Sequence, residues 1–345
     1  MEKSFTDILD NVSNSVNLSE SEASAAMKMI LDGGVSTEEI AGFLVAMRTK
    51  GETVEELTGF VKEMRNAAVQ VDVDTNGAVD LCGTGGDRSG TFNISTAAMF
   101  VVAGAGVPVL KHGNRSVSSK SGSFDVLESL GAVPNLNKSQ VESLYSETGM
   151  AFMFAPNFHP ALKYVMPARR ALKIRTFFNM LGPLLNPADV TNQVVGAFSV
   201  DAAEQMIQIL GNLQTQSAYT LSAHDGLDEV SVSAATEIFE LQSHLSKGSI
   251  TFQPETLGYK KADLNELMGG DADYNAAILK TILDGTAAVA QRSVVELNAA
   301  FAIHAAGAAD TLEQAKEMAA KSIDSGEAAK KLALFVKESQ KVAAL

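Results

Sequence analysis

A chain of 345 residues holds one large domain or two of unequal size, and it buries a full core without disulfide or metal staples. Hydrophobic residues at 46% and charged residues at 20% exclude intrinsic disorder, collagen-like repeats and coiled coils. The 27 Lys+Arg against 41 Asp+Glu give a net charge of -14, which repels nucleic acid and anionic membrane unless the basic residues are gathered, and the single Cys82 excludes an internal disulfide and a Cys-based zinc site.

The first 70 residues carry helix signals only. Phe5, Ile8, Leu9, Val12 and Val16 recur at helical spacing, and three capping boxes follow: Ser19 with Glu22, Ser36 with Glu39, Thr53 with Glu56. Gly33, Gly34 and Gly51 stop the helices between them, so the segment predicts a small four-helix unit. No apolar run there is long enough for a signal peptide, and no stretch of the chain reaches the roughly 18–20 apolar residues of a membrane helix. A reducing, cytoplasmic location is expected.

From about residue 78 the pattern changes. The short runs AVDLC, VPVLK, MAFMFA, QVVGAFSV and SAYTLSA each lead into a loop and then a helical pattern, which predicts an α/β domain with a largely parallel sheet. After residue 260 Ala-rich amphipathic segments run from Leu264 to the C-terminus. Ligands of such sheets bind at the carboxyl ends of strands, so the loops there are the place to look.

The first such loop, Gly83 to Asp87 continuing through Arg88 to Thr96, has four glycines in eight positions and opens an Ala-rich helix. Exposed N–H groups at such a start form an anion site, for which phosphate is the obvious guest. It is neither a Walker loop nor GxGxxG. The second, Lys111 to Ser123, mixes three cations with five hydroxyls and suits phosphate oxygens. Between Asp87 and Asp125, and again between Glu147 and Asp189, there is no acidic residue. These windows of 37 and 41 residues carry Arg88, Lys111, Arg115, Lys120, Lys163, Arg169, Arg170, Lys173 and Arg175, a local positive basin for a polyanionic small molecule. In the third loop, Asp225-Gly226-Leu227-Asp228-Glu229, adjacent carboxylates supply hard oxygen ligands for Mg²⁺. The five histidines show no zinc spacing. His244 and His304 fall in helical patterns and read as packing or surface residues, while His112 and His159 lie in or beside the basic windows and stay as substrate contacts.

The runs LCGTGGDRSGTFNIST (81–96), KHGNRSVSSKSGSFDVLESLG (111–131), RTFFNMLGPLLNP (175–187) and HDGLDE (224–229), in this order, resemble the anthranilate phosphoribosyltransferase family over nearly the whole chain. The resemblance implies a small helical domain (1–71), joined by a helical excursion near 163–189, and a large α/β domain (72–345) of the nucleoside-phosphorylase-like transferase fold. It implies a homodimer through the helical domain, with no nucleic-acid or membrane partner. The reaction it implies joins anthranilate to 5-phosphoribosyl 1-diphosphate, the second step of tryptophan biosynthesis from chorismate. The phosphoribosyl diphosphate would be held by Gly83, Gly86, Asp87, Thr91, Asn93, Ile94, Ser95 and Thr96, then by Lys111, His112, Gly113, Asn114, Arg115, Ser116, Val117, Ser118, Ser119 and Ser123. Gly83, Asn114 and Arg169 would bind anthranilate. Ser95 with Glu229 would bind one Mg²⁺, Asp228 with Glu229 a second, and no dedicated catalytic base is implied. Arg88 stands where many members have Gly and Phe124 where many have a small residue. A nucleoside phosphorylase and a non-catalytic nucleic-acid binder are the rival readings; the paired carboxylates argue against the first and the net charge against the second.

Overall fold

The computed structural model describes residues 3–86, 89–115 and 120–345. Four helices open it: α1 (Phe5–Ser13), α2 (Glu20–Leu31), α3 (Thr37–Lys50) and α4 (Val54–Asn66). Each starts at a reciprocal capping box, the three anticipated ones plus Ser4 with Asp7. Gly51 ends α3 at φ 86°, a conformation a side chain resists.

Strands and helices then alternate: β1 (Val79–Gly83), α5 (Ile94–Gly104), β2 (Val109–Gly113), α6 (Ser123–Ser129), α7 (Lys138–Thr148) and β3 (Met150–Phe154). Short helices α8 (Ala155–Phe158), α9 (Met166–Leu172) and α10 (Phe178–Leu181) precede β4 (Asn192–Gly196), α11 (Val200–Asn212) and β5 (Ser217–Ala223). β6 (Thr236–Gln242) and β7 (Leu245–Phe252) complete a seven-stranded sheet ordered β3-β2-β1-β4-β5-β6-β7. The first five strands are parallel and the last two antiparallel. Helices α12 (Ala272–Leu283), α13 (Val289–Ala305), α14 (Leu312–Asp324) and α15 (Glu327–Ala343) close the chain. Among the described residues no helix is long and apolar enough to cross a membrane.

The sequence reading missed the β6–β7 hairpin and placed His244 in a helical pattern. In the structure Ser243 (φ 51°) and His244 (φ 66°) form its two-residue turn. Such turns need positive φ at both positions and usually announce themselves with Asn-Gly; here no glycine stands at either.

Two apolar cores flank the sheet. One gathers α5, α13 and α15 over Val79, Leu81, Val109 and Leu110. The other joins the N-terminal helices to Val165 and Ala168 beside α9, to Phe177 through Leu185, to α11, and to Val195 and Ala218 of the sheet. Phe177 stacks on Phe60 at 4.7 Å between ring centroids and lies edge-on to Phe43 at 6.4 Å, so this phenylalanine packs into the helical unit.

Candidate active site

β1 and β2 pair only at Val79↔Val109, whereas β2–β3 and β1–β4 keep five paired positions each. Beyond that rung, side chains replace the ladder. Asp80 Oδ1 accepts the His112 N–H (3.2 Å), Asn186 Nδ2 donates to Leu110 O (2.8 Å) and to Asp80 Oδ2 (2.8 Å), and Lys111 Nζ donates to Leu81 O. Every buried backbone group named here is satisfied, and the two strands diverge toward their carboxyl ends. Asp80 is fully buried; burial pushes its carboxyl up, while the Lys111 ammonium and the donated hydrogen bonds pull it back. The Cys82 thiol donates to Asp80 Oδ2 (3.7 Å), and burial drives its ionisation well upward.

The mouth so opened is lined by the three loops. Lys111 Nζ also reaches Ser95 Oγ (3.2 Å), and the Ser95 N–H at the start of α5 donates to Glu229 Oε1 (3.2 Å). The Gly85 N–H donates to Asp228 Oδ2 (2.7 Å). A Cβ on Gly83 would collide with the Asp228 carboxylate, and one on Gly196 with its carbonyl oxygen. Glycine at both strand ends is what lets the carboxylate loop sit against β1 and β4. Behind that loop Asn298 accepts the Val230 N–H (2.9 Å) and donates to Val230 O (2.9 Å), while Ser231 and Ser233 hydroxyls hold Asp225.

On the other flank, the His112 and His159 rings lie 5.2 Å apart. Burial lowers His112 well below the usual imidazole range and His159 to about 4, so both are neutral at pH 7. His112 Nε2 is buried without a hydrogen-bond partner among the described residues, and His159 Nε2 donates to Leu185 O (3.0 Å). Half-buried Arg169 lies 5.3 Å over the Phe178 ring, its ionisation lowered by burial. Arg175 Nη2 donates to Gly86 O (2.7 Å) and Arg48 Nη1 to Arg175 O (2.6 Å), which ties the helical unit to the first phosphate loop.

Of the sequence candidates, Gly83, Ser95, Lys111, Asp228 and Glu229 are brought together directly. Asn93 bonds Ser121, Thr91 bridges to Met268, and Ser123 Oγ donates to Asn114 O (3.4 Å), so these line the same loops. Ile94 is a core residue, Thr96 Oγ1 is buried without a hydrogen-bond partner among the described residues, and Gly113 ends β2. Arg115 pairs with Asp125 (2.8 Å) and Glu128 (3.3 Å) and lies 3.8 Å over buried Phe124. Asp87, Arg88, Ser116, Val117, Ser118 and Ser119 lie outside the described residues. Asp80, Asn186, Asn275 and Asn298 were missed. A charged residue inside an apolar strand run was the one available signal, and it pointed only to Asp80.

Residues 75–329 match the α/β domain of the glycosyl transferase family and residues 6–68 its helical bundle domain. The chain is 48% identical over 324 residues to the anthranilate phosphoribosyltransferase of Salinibacter ruber, covering 93% of this chain and 94% of that one. It is 50% identical over 323 residues to that of Moorella thermoacetica, with 93% and 94% covered. Anthranilate phosphoribosyltransferase from Thermus thermophilus superposes with a TM-score of 0.92 at 35% identity, covering 97% of this chain and 99% of that one. The Saccharomyces cerevisiae enzyme in complex with PRPP and Mg gives 0.90 at 25% identity, covering 98% of both.

Proposed function

The chain belongs to the anthranilate phosphoribosyltransferase family, and from that premise we propose how it transfers the 5-phosphoribosyl group of 5-phosphoribosyl 1-diphosphate to the amine of anthranilate, giving N-(5-phosphoribosyl)anthranilate and diphosphate in tryptophan biosynthesis. The observation that carries the reading is the meeting at Ser95 of an ammonium, a helix N-terminus and a carboxylate: Lys111 on its hydroxyl, α5 behind it, Glu229 on its N–H. Cation and N–H groups suit a diphosphate, and carboxylates beside them suit the metal that accompanies it.

Two carboxylates and a hydroxyl form a hard-oxygen donor set, which fits a cation that completes its shell from substrate phosphate and water. Ser95 with Glu229 would hold one Mg²⁺, and Asp228 with Glu229 a second. Bound there, the metal would neutralise charge on the departing diphosphate.

The ribose anomeric carbon loses its bond to the diphosphate oxygen and gains one to the anthranilate nitrogen. Positive charge grows on the sugar and negative charge on the leaving group, where Lys111 and the loop N–H groups receive it. The aromatic amine is neutral at pH 7 and attacks through its lone pair, shedding its proton to solvent afterwards. Neutral His112 would stay with the donor set, neutral His159 would contribute polarity and shape beside it, and Gly83, Asn114 and Arg169 would bind anthranilate, whose carboxylate is the natural partner of the Arg169 guanidinium. Catalysis then comes from positioning and leaving-group stabilisation.

The enzyme is read as a cytoplasmic homodimer through its helical unit. Supporting the dimer, Val16 and Val45 are exposed on the helical unit, Val45 beside a groove of about 330 Å³ between α1 and α3 that also carries Ser13, Ser15, Thr49 and Lys50. Sedimentation velocity checks the dimer. The activity is tested by the loss of anthranilate fluorescence on adding enzyme, Mg²⁺ and donor. A decrease that needs the donor and is abolished by EDTA is expected; no decrease with folded protein overturns the reaction.

A further inference from the structure

Asn93 occupies the N-cap of α5, where an asparagine side chain ordinarily accepts a hydrogen bond from the first turn of its own helix. Here it makes no such bond. Its Oδ1 instead accepts from Asn275 Nδ2 (2.9 Å) and from Ser121 Oγ (3.3 Å), and its Nδ2 donates to Ser121 O (3.3 Å). The orientation is dictated from Asn275, a residue of α12 that is 2% exposed. The Gly270 N–H, which can only donate, points at Asn275 Oδ1 (2.7 Å). That places Asn275 Nδ2 against Asn93 Oδ1 and Ser121 Oγ (2.9 Å), spending both of its hydrogens. The same segment holds the first phosphate loop a second time, through the Gly269 N–H on Gly90 O (2.8 Å).

We propose that Asn275 is a positioning residue for the phosphoribosyl donor: by drawing the Asn93 side chain away from the N-terminus of α5, it leaves the Ser95 N–H to Glu229 and the Thr96 N–H to the donor's phosphates, and it locks the first phosphate loop to the second. The inference rests on the donor reading above. Without Asn275, Asn93 is free to cap α5 in the usual way and to compete with both partners for the first-turn N–H groups. The Thr96 hydroxyl, in the same turn, is buried and without a partner among the described residues, so this turn holds a polar group that the described protein atoms leave unsatisfied.

The test is steady-state kinetics on the full chain. Asn275→Ala is expected to raise the donor KM about tenfold, the size of a lost hydrogen bond to a charged group, with kcat and the anthranilate KM within about twofold of wild type. In an Asn93→Ala background the same substitution is expected to raise the donor KM far less, because Asn275 acts chiefly through Asn93, with only its bond to Ser121 left to lose. If Asn275→Ala fails to fold, Asn275→Asp gives the same readout: it keeps an oxygen for the Gly270 N–H and sets another against Asn93 Oδ1. An unchanged donor KM, or an effect undiminished in the Asn93→Ala background, overturns the proposal. Donor-induced thermal stabilisation separates it from the reading beneath it. A wild type that is stabilised by the donor but does not consume anthranilate, with stabilisation lost in Asn275→Ala, upholds the positioning role while the acceptor reading falls. A wild type that neither turns over nor is stabilised removes both.

Discussion

Arg169 is the one guanidinium of α9 that is half-buried, it lies against an aromatic ring, and under the proposed function it would meet the carboxylate of anthranilate. Arg169→Ala is therefore expected to raise the anthranilate KM far more than the donor KM, and equal effects on both remove it from the acceptor side. His159 makes a second residue-level prediction. The unfolded chain protonates this imidazole near 6.5 and the folded one near 4, so between those values the folded state binds fewer protons. Stability thus falls as pH falls through that window, by up to about 1.4 kcal/mol per unit from this group. Melting curves from pH 6.5 to 4 should drop more steeply for wild type than for His159→Gln, and parallel curves refute the assignment. Residues whose chemistry is local were legible in the sequence: the carboxylate pair Asp228-Glu229 and the glycine of the first loop announce themselves by type and spacing. Asn275 and Asn186 did not, because an asparagine gains its meaning from partners 182 and 106 residues away.

At the scale of elements, glycine at a strand end explains how a loop from elsewhere can touch the sheet. Gly196 ends β4 with the Asp228 carbonyl occupying the space of its missing side chain. Gly196→Ala is expected to cost about 1–3 kcal/mol of stability through overpacking, and to raise the Mg²⁺ concentration needed for activity as the carboxylate loop is pushed aside. A normal melting temperature with normal Mg²⁺ dependence refutes it. The five parallel strands and the first four helices were readable because apolar periodicity and capping boxes are short-range signals. The β6–β7 hairpin was not. β7 is exposed along nearly its whole length, so it lacks the apolar alternation that marks a half-buried strand, and its turn lacks the usual residues. The divergence of β1 from β2 was likewise invisible, since it depends on Asp80 and Asn186 replacing ladder bonds.

At the scale of the whole molecule, the core of the helical unit does not stop at the unit's edge. It runs through Phe177 and α11 onto Val195 and Ala218 of the sheet. Calorimetry should accordingly show one cooperative transition, and two well-separated ones refute a shared core. The link from Arg48 through Arg175 to Gly86 carries a different consequence. Under the proposed roles, a displacement of the first loop on donor binding would be passed through Arg175 to the segment that carries Arg169. Thermodynamic reciprocity then requires that whatever factor the donor contributes to anthranilate affinity, anthranilate returns to the donor. Under the proposed roles the two substrates would act as each other's effectors, and Arg175→Ala, which removes the bond to Gly86, is expected to weaken that mutual effect.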